Sequence, residues 1–162
     1  MAKIKLGLPR PKLLTNLTGA AGEYAVCAEL SKKYSIVLIA PKNNPLFDII
    51  ATSHDGSKIA MIQVKTRSIV NKNKWFLSKK NGESKGNPQL FMILVDLFDN
   101  DKPNDYYIFK YDEFAKRVQK ISDDNMQKKK KGGGSLKEFW WFDEKLHWSS
   151  TDKLNNWDLL GL

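Results

Sequence analysis

The chain has 162 residues, with 27 Lys and Arg against 18 Asp and Glu, and a net charge of +9. The excess is one-sided: residues 1–81 hold 14 basic and 4 acidic side chains, net +10, while residues 82–162 hold 13 and 14, net −1. Charge gathered in one half of a chain points to a polyanion-binding surface; loops merely solvated by lysine are the plainer alternative. A hydrophobic content of 41% with 5 Trp excludes disorder. The single Cys excludes a disulfide framework and fits a reducing, cytoplasmic setting. One Cys and 2 His cannot assemble a zinc cluster, so any metal would need oxygen ligands. The longest apolar run, Leu90 to Val95, is too short to span a bilayer.

In chain order, residues 1–17 read as a basic arm containing proline, and residues 18–162 as one α/β domain. Thr18 is a suitable N-cap for a helix running to Tyr34. Ile36 to Ala40 is a short apolar run expected to form a buried strand. Two strands, Asp48 to Ser53 and Lys58 to Thr66, flank Asp55-Gly56, a hairpin signal. Residues 68–90 are Lys- and Asn-rich and show no helical period; Trp75-Phe76-Leu77 is their one apolar patch. Leu90 to Phe98 and Tyr106 to Tyr111 read as strands, followed by a helix capped by Asp112 with Phe114, Val118 and Ile121 on one face. Residues 126–135 form a Lys/Gly-rich stretch expected to be a flexible loop. Phe139 to Phe142 and the tail with Leu154, Trp157 and Leu160 supply further apolar residues.

The chemistry concentrates in the first half. Ala20, Glu23, Cys27, Leu30 and Tyr34 share one face of the first helix, and Glu23 is the odd member. A carboxylate facing a core needs a partner, a metal or a shifted pKa; one in a first turn can instead reach water beside the helix dipole. Both readings of Glu23 stay open at this point. A two-residue turn at Asp55-Gly56 makes paired positions sum to 111, which sets Asp48 opposite Gln63 provided no bulge intervenes. Alternation adds Lys65 to the same face. Two carboxylates and an amide oxygen suit a hard cation, Mg²⁺ or Mn²⁺, and a neighbouring lysine suits phosphodiester chemistry.

Glu23 on a first helix, Asp48 opening a second strand and Gln63-Val64-Lys65 in a third resemble the PD-(D/E)XK nuclease superfamily in a Gln-x-Lys form. The likeness covers about residues 19–67. It implies a restriction-endonuclease-like αβββαβ core, a central mixed sheet flanked by helices, and Mg²⁺-dependent (or Mn²⁺-dependent) cleavage of nucleic acid, DNA above all. It further implies Glu23, Asp48 and Gln63 as metal-site residues and Lys65 as the catalytic lysine. Phe47 stands before Asp48 in place of proline, and Gln63 replaces the usual acid, which removes one negative charge.

Around this centre, Arg67 reads as a phosphate clamp or a solvated strand end. Lys72, Lys74, Lys79 and Lys80 line a nucleic-acid groove or are simply loop lysines. Trp75 and Phe139 to Phe142 are read as core before base-stacking platforms, and Cys27 as a small core residue. Neither His54 nor His147 has a triad around it. Two other readings compete: a non-cleaving nucleic-acid-binding module on the same fold, and an interaction domain using the aromatic C-terminal region. That apolar tail could also support a homodimer.

Overall fold

A computed structural model describes residues 12–67, 75–97, 103–130, 139–142 and 153–162. Helix α1 spans Lys12–Lys32. It begins six residues before Thr18, so residues 12–17, expected in the arm, are helical. No Pro or Gly stands between Lys12 and Thr18 to stop the helix extending back. The buried seam of α1 is Gly22, Val26 and Leu30, at i, i+4 and i+8. This corrects the expected stripe by one position and leaves Glu23 and Cys27 half-buried on its flank. Tyr34 lies beyond the helix, 84% exposed, at φ 63°. There it forms the left-handed cap, its N–H donating to Ser31 O while the Ser35 N–H donates to Leu30 O at 3.1 Å.

Strands β1 Ile36–Ile39, β2 Ile49–Thr52, β3 Ile59–Arg67, β4 Trp75–Ser78, β5 Leu90–Asp96 and β6 Asp105–Lys110 precede helix α2 Tyr111–Lys130 and strand β7 Phe139–Phe142. Five of them form a mixed sheet in the order β1-β2-β3-β5-β6. β3 and β5 run parallel, and the other neighbours are antiparallel. β4 and β7 make a separate two-stranded antiparallel sheet. The resemblance implies a helix between the third and fourth core strands. The described residues there carry β4 and a 3-10 turn, Lys79–Gly82, and the second helix follows β6 instead. Helix α2 also absorbs residues 126–130, expected in the flexible loop, because Met126 to Lys130 are all good helix formers. Residues 131–135 lie outside the described residues.

β5 is buried on both sides, as the unbroken run Leu90 to Val95 requires of a central strand. Alternation along β3 divides two cores. Ala60, Ile62 and Val64 face α1 and pack with Val26, Leu30 and Ile93. Met61 joins the other core, with Met92, Leu94, Phe109, Phe114 and Val118, beneath α2. Asp112 does not cap α2; its carboxylate accepts the N–H groups of Lys85 and Gly86 at 2.8 and 3.0 Å, which hold it below the usual carboxylate range.

The C-terminal residues close the sheet's far edge. The Ile108 N–H donates to Lys153 O, the Asn155 N–H to Tyr106 O, and the Tyr106 N–H to Asn155 Oδ1, so part of the outer ladder of β6 is satisfied. Trp157 and Leu160 then turn into the α1-side core, and Trp157 stacks at a tilt on Tyr106 with ring centroids 5.0 Å apart. The tail considered above as a partner surface is therefore used largely within the chain. No helix among the described residues is long and apolar enough to cross a membrane.

Candidate metal and nucleic-acid site

The hairpin between β2 and β3 keeps the register read from the sequence. Thr52 pairs with Ile59 and Ile49 with Ile62, positions that sum to 111. The turn is wider than two residues: the closing bond runs from the Ser53 N–H to Lys58 O, and Gly56 at φ 73° donates to Ser53 O. The sum survives because Ser53 with Lys58 and His54 with Ser57 give the same total. Asp55 Oδ1 stitches the loop by accepting from the Ser53 hydroxyl and from the Ser57 N–H and hydroxyl, which lower its pKa strongly.

At the other end the ladder departs from the expectation. It stops at Ile49, and the Asp48 N–H donates to Ile62 O rather than continuing opposite Gln63. Phe47 packs in the α2-side core and Ile49 in the α1-side core, although residues two apart in a regular strand share a face. The alternation therefore breaks at Asp48, as at a bulge. Its carboxylate swings to the third strand, where Oδ2 accepts the Val64 N–H at 2.7 Å. The approach is set by Asn44, whose Oδ1 accepts the Leu46 and Phe47 N–H groups.

β3 thus outruns β2 by five residues, Gln63 to Arg67, and opens a notch beside the sheet. Helix α1 packs against this extension. A Cβ placed on Gly22 would lie 1.9 Å from Thr66 Oγ1, so helix and strand backbones approach closely there. Glu23 is the next residue. Burial raises its carboxyl pKa, the Asp48 charge raises it further, and the Lys42 ammonium acts against both. Burial likewise raises the Asp48 pKa, opposed by the Val64 hydrogen bond and the Lys65 charge. Glu23 therefore interacts electrostatically with Asp48, and Asp48 with Lys65, and Glu23 is itself half-buried rather than freely solvated. Cys27, one turn along, feels the same centre; burial and the Glu23 charge raise its thiol pKa.

Gln63 lies next to the residue that binds Asp48, and its Oε1 is buried with no hydrogen-bond partner. An unpartnered amide oxygen and two carboxylates held above their usual pKa by burial are the kinds of oxygen donor that a divalent cation takes, so the chemistry of these residues fits the metal that the resemblance implies. No group of three His, Cys, Asp or Glu able to hold a metal occurs among the described residues.

The outer residues separate. Arg67, proposed as a phosphate clamp, turns inward: it is 7% exposed, pairs with buried Asp96 and lies 3.9 Å above the Trp75 ring. Trp75 is core, as expected, with its Nε1–H donated to Val95 O at 3.1 Å. Lys79 and Lys80 are exposed on the 3-10 turn. Lys72 and Lys74 lie outside the described residues. The sequence reading missed Gly22, Lys42, Thr66 and Asp96. Only Gly22 left a trace, as a glycine set within a helical pattern.

No family model and no curated protein matches the chain. Among solved structures it is similar to the bacterial homing endonuclease I-Ssp6803I, over 90% of this chain and 91% of that one, at 16% identity and a TM-score of 0.53. The fold is restriction-endonuclease-like. The Holliday junction resolvase Hjc of Archaeoglobus fulgidus also matches, over 80% of this chain and 86% of that one, at 17% identity and a TM-score of 0.44. The mixed sheet flanked by helices that the resemblance implies is thus present, with β4 and a 3-10 turn among the described residues where it implies an intervening helix.

Proposed function

We propose that the chain is a metal-dependent nuclease that hydrolyses phosphodiester bonds of nucleic acid, DNA foremost. The observation that carries this reading is the electrostatic coupling of two partly buried carboxylates, Glu23 and Asp48, with Asp48 tied to the strand that also carries the unpartnered Gln63 Oε1. The likeness to a homing endonuclease and the +10 charge of residues 1–81 support it.

Glu23, Asp48 and Gln63 would hold the divalent cation, Mg²⁺ or Mn²⁺. The chemistry such a cation supplies when bound is polarisation of a phosphoryl oxygen and acidification of a water. The chain's own groups do the rest. The Val64 N–H fixes one Asp48 oxygen and so orients the carboxylate. The Lys65 ammonium sits close enough to Asp48 to lower its pKa, where it can orient the attacking water or offset charge growing on the phosphate. Exposed Lys79 and Lys80, with Lys72 and Lys74, supply positive charge for the phosphate backbone.

Plasmid nicking in Mg²⁺ or Mn²⁺ tests the reading. Wild type should nick, and Asp48→Ala and Lys65→Ala should each lose about 100-fold or more, the range seen when one stabilising group leaves a reacting centre. Nicking that survives both substitutions would overturn the site assignment. Salt-dependent binding with no cleavage would identify the non-catalytic module instead.

A further inference from the structure

We propose that Gly22 and Thr66 are positioning residues whose contact sets how closely the Glu23 carboxylate approaches Asp48. The inference rests on the nuclease reading above.

Helix α1 contains two glycines three residues apart, and each weakens a helix relative to alanine. Their surroundings differ. A Cβ on Gly19 would meet nothing within 4 Å. A Cβ on Gly22 would lie 1.9 Å from Thr66 Oγ1, 2.8 Å from Cγ2 and 2.9 Å from Cβ. A rotamer change cannot relieve the last of these, because Cβ is fixed to the strand backbone. Only glycine lets the helix sit this close to β3.

The closeness is local. The buried seam of α1 runs Gly22, Val26, Leu30, from no side chain to a large one. The seam position next to Glu23 thus puts no side chain between helix and strand, whereas Val26 and Leu30 place theirs in the core. Thr66 Oγ1 is buried there with no hydrogen-bond partner, so the threonine acts at this contact by its shape. Thr66 shares the α1-facing side of β3 with Val64, whose N–H holds the Asp48 carboxylate. One contact thus fixes the distance between the helix holding Glu23 and the strand to which Asp48 is tied. Site geometry is sensitive at this scale, since a displacement of about 1 Å can cost about 100-fold in rate.

The test compares Gly19→Ala, Gly22→Ala and the double variant Gly22→Ala with Thr66→Gly. Plasmid nicking, calorimetric Mn²⁺ binding and far-UV circular dichroism are the readouts. Gly22→Ala should keep its circular dichroism, bind Mn²⁺ about tenfold more weakly and lose about 100-fold in kcat with little change in KM for DNA. The double variant, with room for the new methyl group, should recover most of both losses. Gly19→Ala should behave as wild type. If Gly22→Ala fails to fold, the double variant decides alone: recovery supports the proposal and a folded but inactive protein overturns it. A Gly22→Ala variant with wild-type Mn²⁺ affinity and kcat overturns this inference and leaves the nuclease reading standing. A wild type that neither binds Mn²⁺ nor nicks overturns both.

Discussion

Gln63 and Arg67 sit four residues apart on one face of β3, and the chain treats them in opposite ways. Arg67 is given an acid in Asp96 and the face of Trp75, which is itself hydrogen-bonded to β5. Gln63 is given no partner for its buried Oε1. A buried polar group without a partner costs about 1–3 kcal/mol, so leaving one in place on the same face as a charge-paired arginine is informative, even though Arg67 Nε itself makes no hydrogen bond. The matched group ties strands together. The unmatched group is next in sequence to Val64, whose N–H holds the partly desolvated Asp48 carboxylate. Polar residues that look alike in sequence therefore divide into those whose charge is paired within the fold and those left with a buried oxygen unpaired.

The sharpest way to break this contrast is to remove Arg67. Arg67→Ala strands the Asp96 carboxylate in the interior and should cost about 3–5 kcal/mol in urea unfolding. A loss under about 1 kcal/mol, the range of exposed pairs, would show that the arginine is not a structural tie. Gln63→Leu should act in the other direction. It deletes an unsatisfied oxygen and should stabilise the metal-free protein by about 1 kcal/mol while weakening Mn²⁺ binding at least tenfold. Destabilisation with unchanged Mn²⁺ binding would assign Gln63 to the fold. The smallest effect is the pH dependence of Asp48. Burial raises its folded pKa above the unfolded value, so between the two values the native state holds the extra proton. Stability therefore falls as pH rises through that window, and the cost is fully present at neutral pH. Asp48→Asn keeps an oxygen for the Val64 N–H and should raise the thermal midpoint at pH 7 by a few degrees at most, converging with wild type near pH 3. Parallel curves for the two proteins across that range would refute a desolvated Asp48.

What the sequence revealed follows from the range of the interactions. The β2–β3 register was legible because alternation and one turn constrain it locally, and a sum of 111 holds for either closing pair. The expected pairing of Asp48 with Gln63 extended that register one step too far: Asp48 leaves the ladder and its carboxylate accepts the Val64 N–H instead. Arg67 was misjudged because its partner is 29 residues away on a parallel neighbour, and no local pattern encodes a parallel pairing. The α1 seam shifted by one because Gly22, with no side chain, scores as a gap in a hydrophobic pattern while marking the closest contact. Tyr34 continued the apolar spacing past the helix end, where the backbone had already turned left-handed.

The packing of residues 153–160 across β6 also bears on the order in which the molecule comes into being. Trp157 meets Tyr106 across roughly fifty residues of intervening chain, a closure whose entropic cost precedes its reward. Until that segment has been synthesised, β6 presents a bare edge and the core behind β3 lacks its indole. The apolar core on which α1 packs is thus completed by residues made after all of the proposed site. A nascent chain holds every proposed metal ligand long before it holds the scaffold that completes the sheet around them.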